Sequence, residues 1–332
     1  MTTAKISSGL GHLFRSINIS NEIVKFYKVN FMCIIDQQLE NKFPIVDFDY
    51  KLLLNELSLK KEIKSRKLRS NVLIIDLLTL ELDSIKSLRT NYKTIISLSP
   101  VFNHFEFVDI LFSRFKYLNY NQFPNLTVHG DLKYTIVNSN HNKIIKKTFE
   151  QNLKQHDCFN VAISMGGADA DNLTLSIIKT LLELDVRLRI WVVLGEGYQH
   201  SIDEMNLLIN TRTIHDFVYV KSKVHFWEVI RNCNLGIFAG GVTMYESLYM
   251  GLPSINFTIN KMQFQLLENE FKDCLYINNL GEIQSSSLLR LKELIIEYNT
   301  NRSSLLKIHS NVKKMVDGKG TLRIVKKIAK LV

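Results

Sequence analysis

Short apolar runs recur along this chain, separated by stretches whose apolar positions fall at helical spacing. The runs at 29–35, 72–76, 94–98 and 108–112 read as strands in the first half. Those at 160–165, 188–194, 217–220, 235–238 and 254–258 repeat the pattern in the second half. The run Val72-Leu73-Ile74-Ile75-Asp76 predicts a buried strand that ends in a carboxylate. Helical spacing fills 13–25, 172–184, 225–232 and 244–250, and a basic amphipathic segment closes the chain at 322–332. Strands alternating with helices predict an α/β protein with doubly wound parallel sheets. In such sheets the chemistry collects on loops at the carboxyl ends of the strands.

The two series of units flank 138–157, a polar, charged segment without strand character. A boundary near residue 150 therefore divides the chain into a domain over 1–150 and a second over 151–332. The 332 residues suffice for two domains, and 46% hydrophobic with 22% charged residues is ordinary for a folded protein. No apolar run approaches the roughly 20 residues that span a bilayer. The opening residues lack the basic-then-apolar pattern of a secretory signal, so a cytoplasmic location is expected. Cys33, Cys158, Cys233 and Cys274 are widely spaced, which predicts free thiols and no zinc or other metal site.

A net charge of +10 favours anionic partners such as a nucleotide, an acidic glycan or a membrane surface. The densest basic run, 60–69, has no interleaved aromatics and reads as a solvated helix face, so no nucleic-acid partner is expected. The closing amphipathic segment can pack on the first domain or associate weakly with a membrane surface.

Three glycine turns carry the candidate chemistry. In the first, Gly9-Leu10-Gly11-His12-Leu13-Phe14-Arg15, the glycines permit a tight turn before a helix, and His12 falls at the helix N-terminus. A histidine there can serve as a general base or merely cap the helix. In the second, Gly166 and Gly167 stand between a strand and a helix, where backbone amides suit an anion. The third runs Gly240-Gly241-Val242-Thr243-Met244-Tyr245-Glu246. Its amides and the Thr243 hydroxyl can hold a diphosphate at the positive helix end, and Glu246 can accept both ribose hydroxyl protons. The structural alternative is a capping box with Thr243 as N-cap and Glu246 three residues on. There is no Gly-x-x-x-x-Gly-Lys-Ser/Thr loop, which argues against a P-loop NTPase.

These motifs, in this order, resemble the GT-B nucleotide-sugar superfamily, and within it the UDP-2,4-diacetamido-2,4,6-trideoxy-β-L-altropyranose hydrolases of pseudaminic acid synthesis. More distantly the chain looks like the peptidoglycan N-acetylglucosaminyltransferases. The likeness rests on the three glycine turns, on Leu73-Ile74-Ile75-Asp76, on Gly130-Asp131-Leu132-Lys133-Tyr134, on Asn172-Leu173-Thr174 and on Pro253. It implies two Rossmann-like domains facing across a cleft, with a UDP-sugar donor in the second and no cofactor or metal. By match, Gly240, Gly241 and Thr243 meet the diphosphate, Glu246 the ribose and Gln263 the donor sugar; Gly9, Gly11, Gly166 and Gly167 line the substrate. His12 activates the water that attacks the anomeric carbon with inversion, while Arg15 and Asp76 shape the water and sugar site.

The chain departs from that family at Asp76-Leu77-Leu78, Ser97-Leu98-Ser99, Asn138 and Met262. Only eight residues precede Gly9, so the first strand is expected to be short or missing. The UDP half of the motif set is kept and the acceptor half has drifted. Two alternatives therefore stand beside hydrolysis: a glycosyltransferase with a glycan acceptor, and a non-catalytic nucleotide-binding subunit.

Overall fold

The computed structural model describes every residue except 6–9, 66–69, 156–157, 211–213, 222–225 and 332. The chain divides into two compact units, Met1–Asn138 with Gly318–Val332, and Ser139–Asp317.

In the first unit the strands are β1 (Thr2–Ala4), β2 (Asn30–Ile35), β3 (Asp49–Leu53), β4 (Ser70–Ile75), β5 (Tyr92–Ser97), β6 (Ile110–Ser113) and β7 (Thr127–Gly130). Helices α1 (Gly11–Ile23), α2 (Glu56–Ser65) and α3 (Leu82–Asn91) lie in the crossovers. One parallel ladder runs β1-β2-β3 and another β4-β5-β6-β7. They join where Thr2 bridges Asp76 in parallel and the Asp76 amide donates to the Met1 carbonyl at 2.9 Å. The resulting order, 3-2-1-4-5-6-7, is doubly wound, and its direction of winding switches between β1 and β4. Because side chains alternate across a sheet, Leu73 and Ile75 enter one core while Val72 and Ile74 pack against another on the opposite face. The first strand is thus present, three residues long.

In this unit two strands went unread in the sequence because they are edges. β3, Asp-Tyr-Lys-Leu-Leu, and β7, Thr-Val-His-Gly, are largely solvent-facing, so neither needs an apolar run.

The second unit has β8 (Phe159–Ser164), β9 (Leu188–Leu194), β10 (Asp216–Lys221), β11 (Leu235–Ala239), β12 (Ser254–Phe257) and β13 (Asn278–Asn279). Its helices are α4 (Lys146–Gln155), α5 (Leu173–Leu182), α6 (Ile202–Asn210), α7 (Phe226–Ile230), α8 (Val242–Met250), α9 (Lys261–Phe271), α10 (Ser285–Thr300) and α11 (Arg302–Met315). The sheet order is β10-β9-β8-β11-β12-β13, parallel throughout. This is the 3-2-1-4-5-6 Rossmann order, with its switch between β8 and β11. Every residue of β8, β11 and β12 is buried, as expected of strands covered on both faces.

The division differs from a single cut at residue 150. Residues 139–150 belong to the second unit: the Lys143 ammonium donates to the Lys313 and Val316 carbonyls at 3.3 and 3.1 Å, and the Phe149 ring stacks on His309 at 4.6 Å. The polar character of that stretch hid these anchors. The C-terminal helix Gly320–Ile328 returns to the first unit, where Ile324, Val325 and Ile328 share a core with Ile19, Phe112 and Ile136. These residues therefore pack inside the unit, as the expectation of packing on the first domain had it. No helix among the described residues is long and apolar enough to cross a membrane.

Candidate functional site

In the first unit the chemistry gathers at the carboxyl edge, at the switch point. Helix α1 begins at Gly11, so His12 occupies its first turn and Arg15, three residues on, shares its face. Asp76 directly follows β4 and is fully buried. Arg15 grips it in bidentate fashion, Nε donating to Oδ2 at 2.6 Å and Nη2 to Oδ1 at 2.5 Å. The His12 Nδ1 lies 2.6 Å from the same Oδ1. Burial by itself would push the Asp76 carboxyl up; the charges of Arg15 and His12, with the hydrogen bonds both donate, reverse this and hold it well below the usual carboxylate range. An ionised carboxylate only accepts, so in this bond the proton sits on Nδ1, and in the neutral imidazole the remaining acceptor is Nε2. The imidazole, 15% exposed, is thereby held in place by a buried carboxylate.

The structure thus brings together His12, Arg15 and Asp76. With no exposed surface, Asp76 cannot shape a sugar site directly. It bonds to His12 and Arg15, and their charges, that of Arg15 first, hold it ionised. Gly11 opens α1 as expected, whereas Gly9 lies outside the described residues. Beside Arg15, a cavity of about 20 Å³ lined by Ser113, Arg114 and Tyr134 has room for one water. A groove of about 530 Å³ lined by 24–29 and 47–49 lies at the amino ends of β2 and β3. Parallel sheets carry chemistry at the other edge, so the smaller cavity is the relevant one.

In the second unit both glycine turns sit at the switch point, one after β8 and one after β11. They are not equivalent. Asp169, in the left-handed region at φ 45°, accepts from the Leu173 and Thr174 amides at 2.8 and 3.0 Å. The Leu173 and Thr174 amides at the N-terminus of α5 are therefore taken by the protein's own carboxylate. Gly166 supplies a positive φ of 91°. The Gly167 carbonyl accepts from the Gly197 amide at 2.8 Å, and a Cβ on Gly195 would come within 2.4 Å of that carbonyl oxygen. The loop is built for backbone-to-backbone packing. Burial, and then the charge of Asp169, pushes the Tyr198 phenol up to about 12, and its hydroxyl donates to Asn172 at 2.8 Å.

At α8, by contrast, no side chain caps the first turn. Gly241 is the N-cap and Val242 the first helical residue, so Thr243 lies inside the helix and the capping-box alternative for Thr243 and Glu246 does not hold. The amides of this turn point out of the helix end, and a Cβ on Gly241 would meet nothing within 4 Å. Gly240 plays another part. Its amide donates to the Phe257 carbonyl at 2.7 Å, and a Cβ there would lie 2.6 Å from Leu267 Cδ1. It allows β11 and α9 to approach, so its amide is not aimed at a diphosphate.

Glu246, half-buried on α8, accepts a hydrogen bond from the Trp227 indole at 3.1 Å, a partner that sequence inspection missed. Gln263 occupies the first turn of α9: its amide donates to the Asn260 side chain at 2.9 Å, and its side-chain oxygen accepts from the Ile259 amide at 2.9 Å. That reciprocal cap holds Gln263 beside the end of β12. Among the described residues, no cluster of three or more His, Cys, Asp or Glu side chains could hold a metal.

No family model matches the chain. It is 27% identical over 303 residues to the uncharacterized protein MJ1062 of Methanocaldococcus jannaschii, an alignment covering 88% of this chain and 60% of that relative. The chain thus spans about three fifths of the longer protein. It is 20% identical over 336 residues to the spore coat polysaccharide biosynthesis protein SpsG of Bacillus subtilis, covering 95% of this chain and 93% of SpsG. Among solved structures it superposes on MurG of Acinetobacter baumannii with a TM-score of 0.63 at 13% identity, over 99% of this chain and 98% of the other. A UDP-glucosyltransferase from Polygonum tinctorium gives 0.61 at 12%, over 99% and 98%. The UDP-GlcNAc 2-epimerase of Neisseria meningitidis, solved with UDP-GlcNAc bound, gives 0.59 at 10%, over 99% and 100%. At these identities the likeness carries the fold, and that fold is GT-B, two Rossmann-like domains built on parallel sheets.

Proposed function

We propose that the chain is a UDP-sugar-dependent enzyme in which the second unit binds the donor and the first supplies the catalytic base. The observation that carries this reading is the buried Asp76 carboxylate bonded to His12 Nδ1, which leaves Nε2 as the proton acceptor. The first-turn amides of α8, opened by Gly241, suit the diphosphate; Thr243 adds a hydroxyl and Glu246 accepts from the ribose. Both nucleotide-sugar neighbours, the glucosyltransferase and the epimerase, support UDP as the carrier.

In the favoured form the nucleophile is water and the donor a UDP-linked amino sugar. Water oxygen bonds to the anomeric carbon, the bond to the diphosphate oxygen breaks, and the water proton passes to His12 Nε2. UDP leaves with its charge at the positive end of α8, and the anomeric centre inverts. The likeness of the glycine turns and of His12 to the altropyranose hydrolases supports this form. A glycan hydroxyl in place of water makes the same base a transferase residue, and the likeness to SpsG, a spore coat polysaccharide biosynthesis protein, favours that second form.

The test is UDP release from a panel of UDP-amino sugars, with and without glycan acceptors. Release without acceptor selects hydrolysis, and release only with acceptor selects transfer. Full activity in His12→Ala would sink the mechanism. Tight UDP binding without turnover on any donor would leave a nucleotide-binding subunit.

A further inference from the structure

The Trp227 indole is 2% exposed, wedged edge-on against Phe226 at 5.0 Å and Phe238 at 6.2 Å between ring centroids. Phe238 belongs to β11, the strand that delivers the Gly240–Gly241 turn. The ring is thus fixed by the same strand that positions α8. Its Nε1 donates to Glu246 Oε2 at 3.1 Å. A buried indole N–H needs an acceptor, and Glu246 supplies one. The consequence runs the other way as well. A glutamate on a helix surface has three rotatable bonds, and an indole anchored in the core removes most of that freedom before any ligand arrives. A carboxylate has roughly four lone-pair directions, so the bond to the indole does not by itself exhaust it.

We propose that Trp227 is a positioning residue that pre-orients Glu246 to receive the two ribose hydroxyls of the nucleotide, and so sets preference for a ribonucleotide carrier. The inference rests on Glu246 being the ribose ligand.

Titration calorimetry on the full chain with UDP and with 2′,3′-dideoxy-UDP separates the two ideas. Wild type should prefer UDP, and Glu246→Gln should lose that preference. Trp227→Phe keeps an aromatic ring in the core, removes the donor and leaves out the volume of the second ring, a loss that falls on both nucleotides alike. It should weaken UDP about fivefold to tenfold while leaving dideoxy-UDP within about twofold, and the double variant should be no weaker than Glu246→Gln alone. Equal weakening of both nucleotides in Trp227→Phe, or an unchanged preference there, would overturn the positioning role while Glu246 stands. No preference in wild type would remove Glu246 as the ribose ligand and the inference with it. A second measurement leaves Trp227 in place. The chain has two tryptophans, so Trp191→Phe makes Trp227 the only reporter. Its emission should shift with saturating UDP and not with saturating dideoxy-UDP; an identical response to both would overturn the proposal.

Discussion

Replacing Asp76 by asparagine keeps the shape of the side chain and removes its charge, which separates orientation from packing. Three contacts converge on that carboxylate: two from Arg15 and one from His12. Asparagine retains one acceptor oxygen and presents an NH2 to the other donors. It strands a guanidinium that is only 11% exposed, and breaking one side of a buried pair costs about 3–5 kcal/mol. At roughly 2–4 °C per kcal/mol for a domain of this size, the melting transition should fall by about 6–20 °C. The rate should fall further than stability requires. Without an anionic acceptor the imidazole loses its fixed tautomer, and the loss of a positioned base amounts to about 10²–10⁴ in kcat. Calorimetric melting and UDP release, the latter assayed well below the transition of the variant, measure the two effects separately. His12→Ala is the control, since it should match the rate loss with a much smaller melting shift. Wild-type turnover in Asp76→Asn, or an unchanged melting temperature, would refute the claim that this carboxylate organises the base.

The same carboxylate sets a pH dependence. Its folded value is depressed, so its contribution is complete above the unfolded value of about 3.9 and is lost as pH falls from there toward the folded value. The gap in melting temperature between wild type and Asp76→Asn should therefore stay constant near neutrality and narrow below about pH 4. Paired substitutions at the third glycine turn should split cleanly. Gly240→Ala drives a methyl into Leu267 and should cost about 1–3 kcal/mol of stability, whereas Gly241→Ala meets open space and should leave melting unchanged while weakening UDP in calorimetry. Asp169→Ala removes two amide acceptors at the start of α5 and should cost about 1–2 kcal/mol by denaturant unfolding, with UDP affinity retained.

Much of the architecture was legible in the sequence because buried parallel strands need long apolar runs. β4, β8, β9, β11 and β12 announced themselves that way. Edge strands need no such run, which is why β3 and β7 did not. Helical spacing likewise placed His12 and Arg15 on one face, since i and i+3 are neighbours whatever the surroundings. The end of β4 marked Asp76 as a carboxylate at a strand terminus.

What joins these residues is not local. Asp76 meets His12 across 64 positions of sequence because β1 and β4 are adjacent at the switch point, and strand order is a property of the whole sheet. The two glycine turns after β8 and β11 look alike as sequence, yet only tertiary placement shows that Asp169 fills one helix end while α8 has no side-chain cap. Trp227 and Glu246 stand on different helices, and no spacing rule connects them. The return of the C-terminal helix to the first unit follows the same logic: an amphipathic pattern says that one face will be buried, and only the folded chain decides against what. By itself the sequence determined the elements and the residue types, because periodicity and local sterics act over a few positions. The tertiary structure alone decided which carboxylate bonds to the histidine, which caps a helix and which accepts from an indole, because those contacts depend on partners that folding brings together from distant parts of the chain.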